Sequence, residues 1–521
     1  MSITGFAGEN TGTDKWQRLA PAAIIYFIVK IVGQLLKQGL QGLLPLAVVL
    51  FSAGEGRWLI ISLIGIAGGA ALLLGAFFSY MKFRFRLSAD SFMIQSGVFK
   101  RKRLTLNYDR IQNVAFKEPI YFRPFGLIVL SIESAGSTGA EVSLGGIPRA
   151  LAEEIRTTVF SERAKSGMQT RASEAETDDQ EGSAGNDEAE EDVIRQPIAE
   201  LVRYGLSNNQ IWVFASIAAG AFAQVDWDDV AVLSALRDAF QAFAGENKFT
   251  AAALVFSSFL LGFFALLGVS VAGAIINYYD YHLTRAGGRL HRTNGLFSRH
   301  ETSLPEQKIQ SLVIRQAWPA RLLNRFHLQL KQVSFARRDG QQSGEQAGGS
   351  TLLVPSVTGE FSRRFASMIY PYFQWTPSDL HQISRLYTRK VILWIILPIA
   401  TIPTTALVFA FGPWALSVLF IPLLLTPFIM LKRARYGYAT DGKHGIIRRG
   451  LFGYKLTLFP FHKVQTIKLW QSPGQRKKAL ASLTIKLAGT SLTVPYMPLA
   501  DAEAWRDAIL FEIESSNKAW M

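Results

Sequence analysis

Along the chain, long apolar runs alternate with stretches in which apolar and polar residues take turns at every second position. Six runs, 22–51, 58–80, 208–225, 250–277, 391–411 and 414–431, approach the roughly 20 residues that cross a hydrocarbon core of about 30 Å. The first is interrupted by Lys30, Gln34, Lys37, Gln38 and Gln41. It either spans as a long tilted helix or begins as an interfacial helix that enters the bilayer near Leu40. The second carries Gly65 and Gly69, a spacing that lets helices approach closely. The last two are joined by little more than Gly412-Pro413, which predicts a tight hairpin, and Pro398, Pro403, Pro422 and Pro427 predict kinks in it.

Between these runs the period is two. Phe83, Phe85 and Leu87 alternate with Lys82, Arg84 and Arg86; Leu127, Val129 and Ser131 with Ile128, Leu130 and Ile132; Leu483, Ile485 and Leu487 with Thr484, Lys486 and Ala488. Such alternation predicts strands with one buried face. Turn signals separate them at Ala89-Asp90, Thr293-Asn294-Gly295 and Asp441-Gly442. Helical patterns close each stretch at about 149–164, 359–370 and 500–514, the last with Asp501 as N-cap and Trp505, Ile509 and Ile513 along one side.

A block within these stretches occurs three times. Gly97-Val98-Phe99, Gly295-Leu296-Phe297 and Gly450-Leu451-Phe452 precede Arg110-Ile111-Gln112, Lys308-Ile309-Gln310 and Lys463-Val464-Gln465, with 15 residues from glycine to glutamine each time. A further 24 residues on stand Gly136, Ser334 and Gly489, with Ala135 and Ala488 before two of them. One structural unit is present in triplicate, and each copy follows a pair of apolar runs.

Composition and charge then set the surroundings. The chain is 49% hydrophobic and only 18% charged, with net charge +15. Residues 171–193 hold ten acids against one arginine, so the remainder carries +24. Bases cluster at the ends of apolar runs: Lys82, Arg84 and Arg86; Arg389 and Lys390; Lys432, Arg433 and Arg435. That placement favours an anionic membrane surface over nucleic acid as the partner. The opposite loops are poor in bases, with five acids against two bases in 226–248. The positive-inside rule therefore predicts a multi-pass plasma-membrane protein with all three copies cytoplasmic. Residues 1–20 carry Glu9, Asp14, Lys15 and Arg18 and read as a cytoplasmic lead rather than a cleaved signal. Residues 161–193 lack aromatics and read as an acidic, disordered linker. Cysteine is absent, which excludes disulfides and thiolate chemistry.

The Gly-[Val/Leu]-Phe strand, the [Arg/Lys]-[Ile/Val]-Gln turn and the later Ala-Gly resemble the bacterial pleckstrin-homology domain of the YdbS/YdbT type, and the threefold arrangement resembles its longer, YdbT-like members. The second copy departs from the pattern, with Val333-Ser334 for Ala-Gly and a polar insertion at 339–350. The resemblance implies an α+β membrane protein: about six transmembrane helices in three pairs, each pair followed by a pleckstrin-homology-like β-sandwich with a C-terminal helix. The division is a lead at 1–21, helix pairs at 22–80, 194–277 and 372–431, and domains at 81–160, 278–371 and 432–514. It further implies a non-enzymatic inner-membrane scaffold or accessory subunit, partnered with a shorter member of the family, in envelope physiology or peptide export and resistance.

For binding chemistry, Lys100, Arg101, Lys102 and Arg103 lead, because four adjacent cations attract anionic headgroups at about 1 kcal/mol each. A solvated hairpin tip is the competing reading. Arg476, Lys477 and Lys478 form a similar patch in the third copy. Gly97, Phe99, Gln112, Gly295, Phe297, Gln310, Gly450, Phe452 and Gln465 read as turn and core positions, the glutamines holding backbone. His282, His291 and His300 recur without helical spacing or a partner motif, so no metal or cofactor is expected. No catalytic constellation is visible. Lys30 and Lys37 share a face and fit an interfacial stretch; the alternative is a polar path through a transporter.

Overall fold

The computed structural model describes residues 16–34, 57–88, 91–97, 101–108, 111–134, 142–172, 191–207, 248–332, 351–371, 380–401, 404, 412, 420–488 and 490–515. Two compact units result. One comprises 1–189 with 297–303 and 341–349; the other comprises 190–296, 304–340 and 350–521.

The period-two alternation becomes strand pleat as expected. In the first repeat, β1 (Arg84–Leu87), β2 (Ser91–Ser96) and β3 (Lys102–Asn107) form one antiparallel meander, and β4 (Ile111–Pro119), β5 (Leu127–Ser134) and β6 (Val142–Pro148) another. Phe85, Phe92, Ile94, Leu106, Leu130, Ile132 and Leu144 point into a shared core, closed by Ala152, Ile155 and Val159 of the helix Arg149–Ala172. That helix outruns the 149–164 pattern and takes up residues expected in the linker.

The second repeat begins with β7 (Glu191–Arg195), then β8 (His282–Ala286), β9 (Arg289–Asn294), β10 (Ser298–Pro305), β11 (Ile309–Gln316), β12 (Phe326–Gln332) and β13 (Thr351–Val357). The third has β14 (His381–Gln382), β15 (Gly437–Thr440), β16 (His444–Arg449), β17 (Tyr454–Pro460), β18 (Val464–Trp470), β19 (Leu480–Leu487) and β20 (Thr490–Pro498). β7 ends the acidic stretch read as linker; pairing with β8 orders it.

The repeats are not separate beads. In the second unit one sheet runs β13-β12-β11-β17-β16-β15-β14, so β11 of the second repeat is hydrogen-bonded to β17 of the third. Ile446, Leu456 and Leu458 of the third repeat accordingly sit in the hydrophobic cluster of the second, with Leu312, Ile314, Leu328 and Phe365. In the first unit, Ser298–Glu301 of β10 pair with β4 in the same way. The two junctions share one register: Glu301 opposes Phe116, and Leu456 opposes Ile314. In both, the residue six past the motif glycine faces the residue four past the motif glutamine.

The triplicated motif has a backbone explanation. Each glutamine falls where the strand register slips, between Ile111 and Asn113, Ile309 and Ser311, and Val464 and Thr466. A β-bulge there bends the strand and re-aims its remaining residues. Gln310 is buried and Gln465 exposed. Gln112 has its backbone in β4, and its side chain lies outside the described residues. Gly97 and Gly295 take φ of 107° and 114°, which L side chains rarely adopt.

Asp501 does not cap its helix. The helix starts at Leu499, and the Asp501 carboxylate instead accepts the Tyr438 hydroxyl at 2.7 Å.

Among the described residues, two helices are long and apolar enough to cross a membrane, Gly65–Lys82 and Phe256–Tyr278, with a shorter apolar helix at Ala23–Gln34. Along Lys248–Tyr278, Phe256, Phe259, Leu261 and Phe264 are exposed. The run 208–225 lies outside the described residues, as do 35–51 with Lys37, 402–403, 405–411 and 414–419.

Candidate functional site

The segment that leads into each apolar stretch is hydrogen-bonded to the strand that follows that stretch. The Gln17 N–H donates to Phe85 O at 2.8 Å, β7 pairs with β8, and β14 pairs with β15. A second tie lies nearby, at a bulge in the last strand of each repeat. Ala20 N–H donates to Gly146 O at 3.2 Å, Gln196 Nε2 to Ser356 O at 3.3 Å, and Ser384 N–H to Tyr496 O at 3.0 Å. Gly146, Ser356 and Tyr496 all adopt positive φ. Such strain persists only where surrounding contacts fix it, and here the fixed atom is a carbonyl aimed at the lead segment.

The returning helix ends against the Gly-Leu-Phe turn. Four carbonyls at a helix C-terminus lack intrahelical partners. In the second repeat, Leu296 N–H reaches Ile276 O at 2.9 Å, Gly295 N–H reaches Tyr279 O at 2.8 Å, and Asn294 Nδ2 reaches Asn277 O at 2.7 Å. In the third, the Arg435 guanidinium donates to the carbonyls of Leu451 and Phe452. The two described motif phenylalanines are exposed, contrary to their expected core position. Phe297 is 50% exposed and Phe452 51%, the latter set edge-on to Phe428 with ring centroids 5.7 Å apart. Phe99 lies outside the described residues. Gly295→Ala is expected to cost about 1–2 kcal/mol by forcing a side chain into left-handed backbone. A lowered unfolding midpoint in detergent checks it.

The basic cluster of the first repeat proves larger than its sequence run. Arg101, Lys102 and Arg103 are exposed at the start of β3, and Lys100 lies outside the described residues. Register aligns Arg103, Gln95 and Arg84 in one row across the sheet, and Thr105, Met93 and Arg86 in the next. This face is opposite Phe85, Ile94 and Phe92, which are buried. Arg84 and Arg86, read from sequence as boundary markers, thus join Arg103 on one surface. Their period-two spacing was the available signal. The helix ends at Lys82, so Arg86 is at most about 13 Å further along the chain.

In the third repeat, Arg476, Lys477 and Lys478 are exposed on a turn held by a capping box between Ser472 and Gln475. Sequence reasoning missed a further group of cations. Arg449, Lys455 and Arg315 stand side by side across β16, β17 and β11. Burial, reinforced by Arg315, Lys331 and Arg449, pushes the Lys455 amine down to about 8. Lys331 Nζ and Arg449 Nη2 reach neutral oxygens, Thr490 Oγ1 at 3.1 Å and Thr493 O at 3.0 Å. Cations directly opposite one another disfavour strand pairing, so this row is held against its own electrostatics by the sheet around it. The signal was hidden because the three residues come from two repeats.

A half-buried polar network secures the amphipathic helix Ile198–Ser207 to the second domain. Glu200 accepts from Arg325 at 2.9 and 3.0 Å, from the Ser356 hydroxyl at 2.7 Å and from Arg203. Burial raises its carboxyl, but the hydrogen bonds from Arg325 and Ser356 outweigh this and hold it below the usual range. His327 accepts the Ser356 N–H on Nδ1 at 3.2 Å, with Ser207 Oγ 3.2 Å from Nε2.

The family described as bacterial PH domain matches residues 34–163, 232–348 and 392–512. The UPF0699 transmembrane protein YdbT of Bacillus subtilis (strain 168) is 24% identical over 431 residues, which cover 81% of this chain and 82% of that protein. No solved structure matches.

Proposed function

Since this chain belongs to the bacterial PH domain family, we propose that it is an integral inner-membrane scaffold whose three PH-like domains lie against the cytoplasmic membrane surface. One observation carries the reading: the segment leading into each apolar stretch pairs with the strand that follows it, Gln17 with Phe85, β7 with β8 and β14 with β15. A segment tied at both ends to one sheet crosses a bilayer an even number of times. Three such pairs account for six transmembrane helices with every domain on one side. The bases Lys82, Arg84, Arg86, Lys432, Arg433 and Arg435 support the cytoplasm as that side. The relative in Bacillus subtilis is named a transmembrane protein, which agrees with membrane insertion.

In this setting Phe297 and Phe452 meet the headgroup layer beside their helices. The Arg84, Arg86 and Arg103 face draws anionic lipid toward the first domain. The scaffold work is presentation of sheet edges and basic loops to a protein partner, supporting envelope homeostasis or peptide resistance. Absence of cysteine makes the lipid contact directly testable. A fluorophore on Met93→Cys, in bilayer discs containing nitroxide-labelled headgroups, is expected to be quenched more strongly when phosphatidylglycerol is present. Arg84→Ser, Arg86→Ser and Arg103→Ser together are expected to abolish the difference. Equal quenching in neutral and anionic bilayers would sink the idea.

A further inference from the structure

Two strands each carry half of a junction. Among the described residues, β3 is hydrogen-bonded only to β2, and β18 only to β19. β3 is the first repeat's counterpart of β10 and β17, and β18 is the third repeat's counterpart of β4 and β11. Both formed junctions join a strand of the first kind to one of the second, antiparallel and in one register.

We propose that a second copy of this chain completes the pattern, with β3 of one copy pairing antiparallel with β18 of the next. The register used within the chain sets Thr105 opposite Ile467, Leu104 opposite Lys468, Arg103 opposite Leu469 and Lys102 opposite Trp470.

The exposure of the two strands fits this. Leu312 and Ile314 are buried at the formed junction, whereas their counterparts Ile467 and Leu469 are only half-buried and Trp470 is 47% exposed. On the other side, Leu456 and Leu458 are buried, and their counterparts Arg103 and Thr105 are exposed.

Charged side chains on an edge usually discourage pairing, and Lys102 and Lys468 could be read so. The chain itself answers that objection. Lys455 occupies the place of Lys102 and is paired directly opposite Arg315; His300 occupies it in the other junction, opposite Lys117. The new junction is milder, because no two cations oppose each other and Lys102 meets an indole, a favourable cation–π partner. Both edges belong to domains tethered beside membrane helices, so copies in one membrane already share a plane. The contact is heterologous, since different surfaces meet. It therefore builds a closed ring or an open row rather than a twofold dimer. This goes beyond the scaffold reading and does not depend on which lipid is bound.

The test uses the full chain in native membranes. Because it contains no cysteine, a disulfide can join only introduced residues. Directly opposed strand residues have Cα atoms about 4.5–5.5 Å apart, within disulfide reach. Thr105→Cys and Ile467→Cys are placed in separate copies bearing different tags, coexpressed and mildly oxidised. A covalent heterodimer is expected, roughly tenfold above the Thr105→Cys with Lys468→Cys control, whose second thiol points to the other face. A yield no greater than that control overturns the proposal, as does an equal yield from either variant alone. So does a monomeric chain whose β18 amides are shielded by a co-purified, different PH-like chain.

Discussion

Replacing Leu458 with aspartate is expected to loosen the second repeat as much as the third. Leu458 belongs to β17, yet its side chain is 1% exposed within the cluster that holds Leu312, Leu328, Leu330 and Phe365. Truncating a buried leucine costs about 2–5 kcal/mol, and burying an unpaired carboxylate adds to that. Against a typical total stability of about 5–15 kcal/mol, this is a large share. Hydrogen exchange should therefore accelerate together in peptides covering 309–332 and 480–498. Leu458→Ala should show the same joint response at smaller size. Faster exchange confined to the third repeat would mean that the shared sheet is not a shared core.

Acidification from pH 6.5 to about 4 is expected to weaken the second domain by about 3 kcal/mol through His327 alone. Burial, with Arg315 nearby adding to it, pushes this imidazole down to about 4. Its Nδ1 accepts from Ser356 N–H, so the neutral ring with hydrogen on Nε2 fits the site, and Tyr204 packs edge-on at 4.9 Å. The folded-state value lies below the unfolded one. The unfolded chain thus takes up the proton first as pH falls, and stability drops from about 6.5 until the folded ring also protonates. Glu200 is held low and adds its own loss at more acid pH, so the readout is a difference between chains. His327→Gln should begin less stable and lose less between pH 6.5 and 4. Parallel curves for the two chains would assign the acid sensitivity elsewhere.

Much of the fold was legible in the residues. The alternation around Phe85 and Leu87 gave β1, and the fixed distance from glycine to glutamine gave three copies of one motif, each ending at a register slip. What periodicity could not give was pairing between repeats. Leu456 and Leu458 look like any buried strand residues, and nothing local says whose core they fill. The motif phenylalanines misled for a related reason: an apolar residue repeated beside a glycine reads as core, but the nearest apolar surface for Phe452 is Phe428 of the helix. The candidate site was half visible. The run from Lys100 to Arg103 stands out in sequence, whereas Arg84 and Arg86 join it only through register. The Arg449, Lys455 and Arg315 row needs two repeats to exist at all.

The lead strands also impose an order of events during synthesis. β7 ends at Arg195 and its partner β8 begins at His282. At about 5–20 residues per second, that gap takes the ribosome several seconds to traverse. The β7–β8 edge of that sheet cannot form until the residues between them have been made. Until then β8 has β9 beside it but not β7. Closure of that sheet edge by backbone hydrogen bonds therefore waits on the whole intervening stretch of chain.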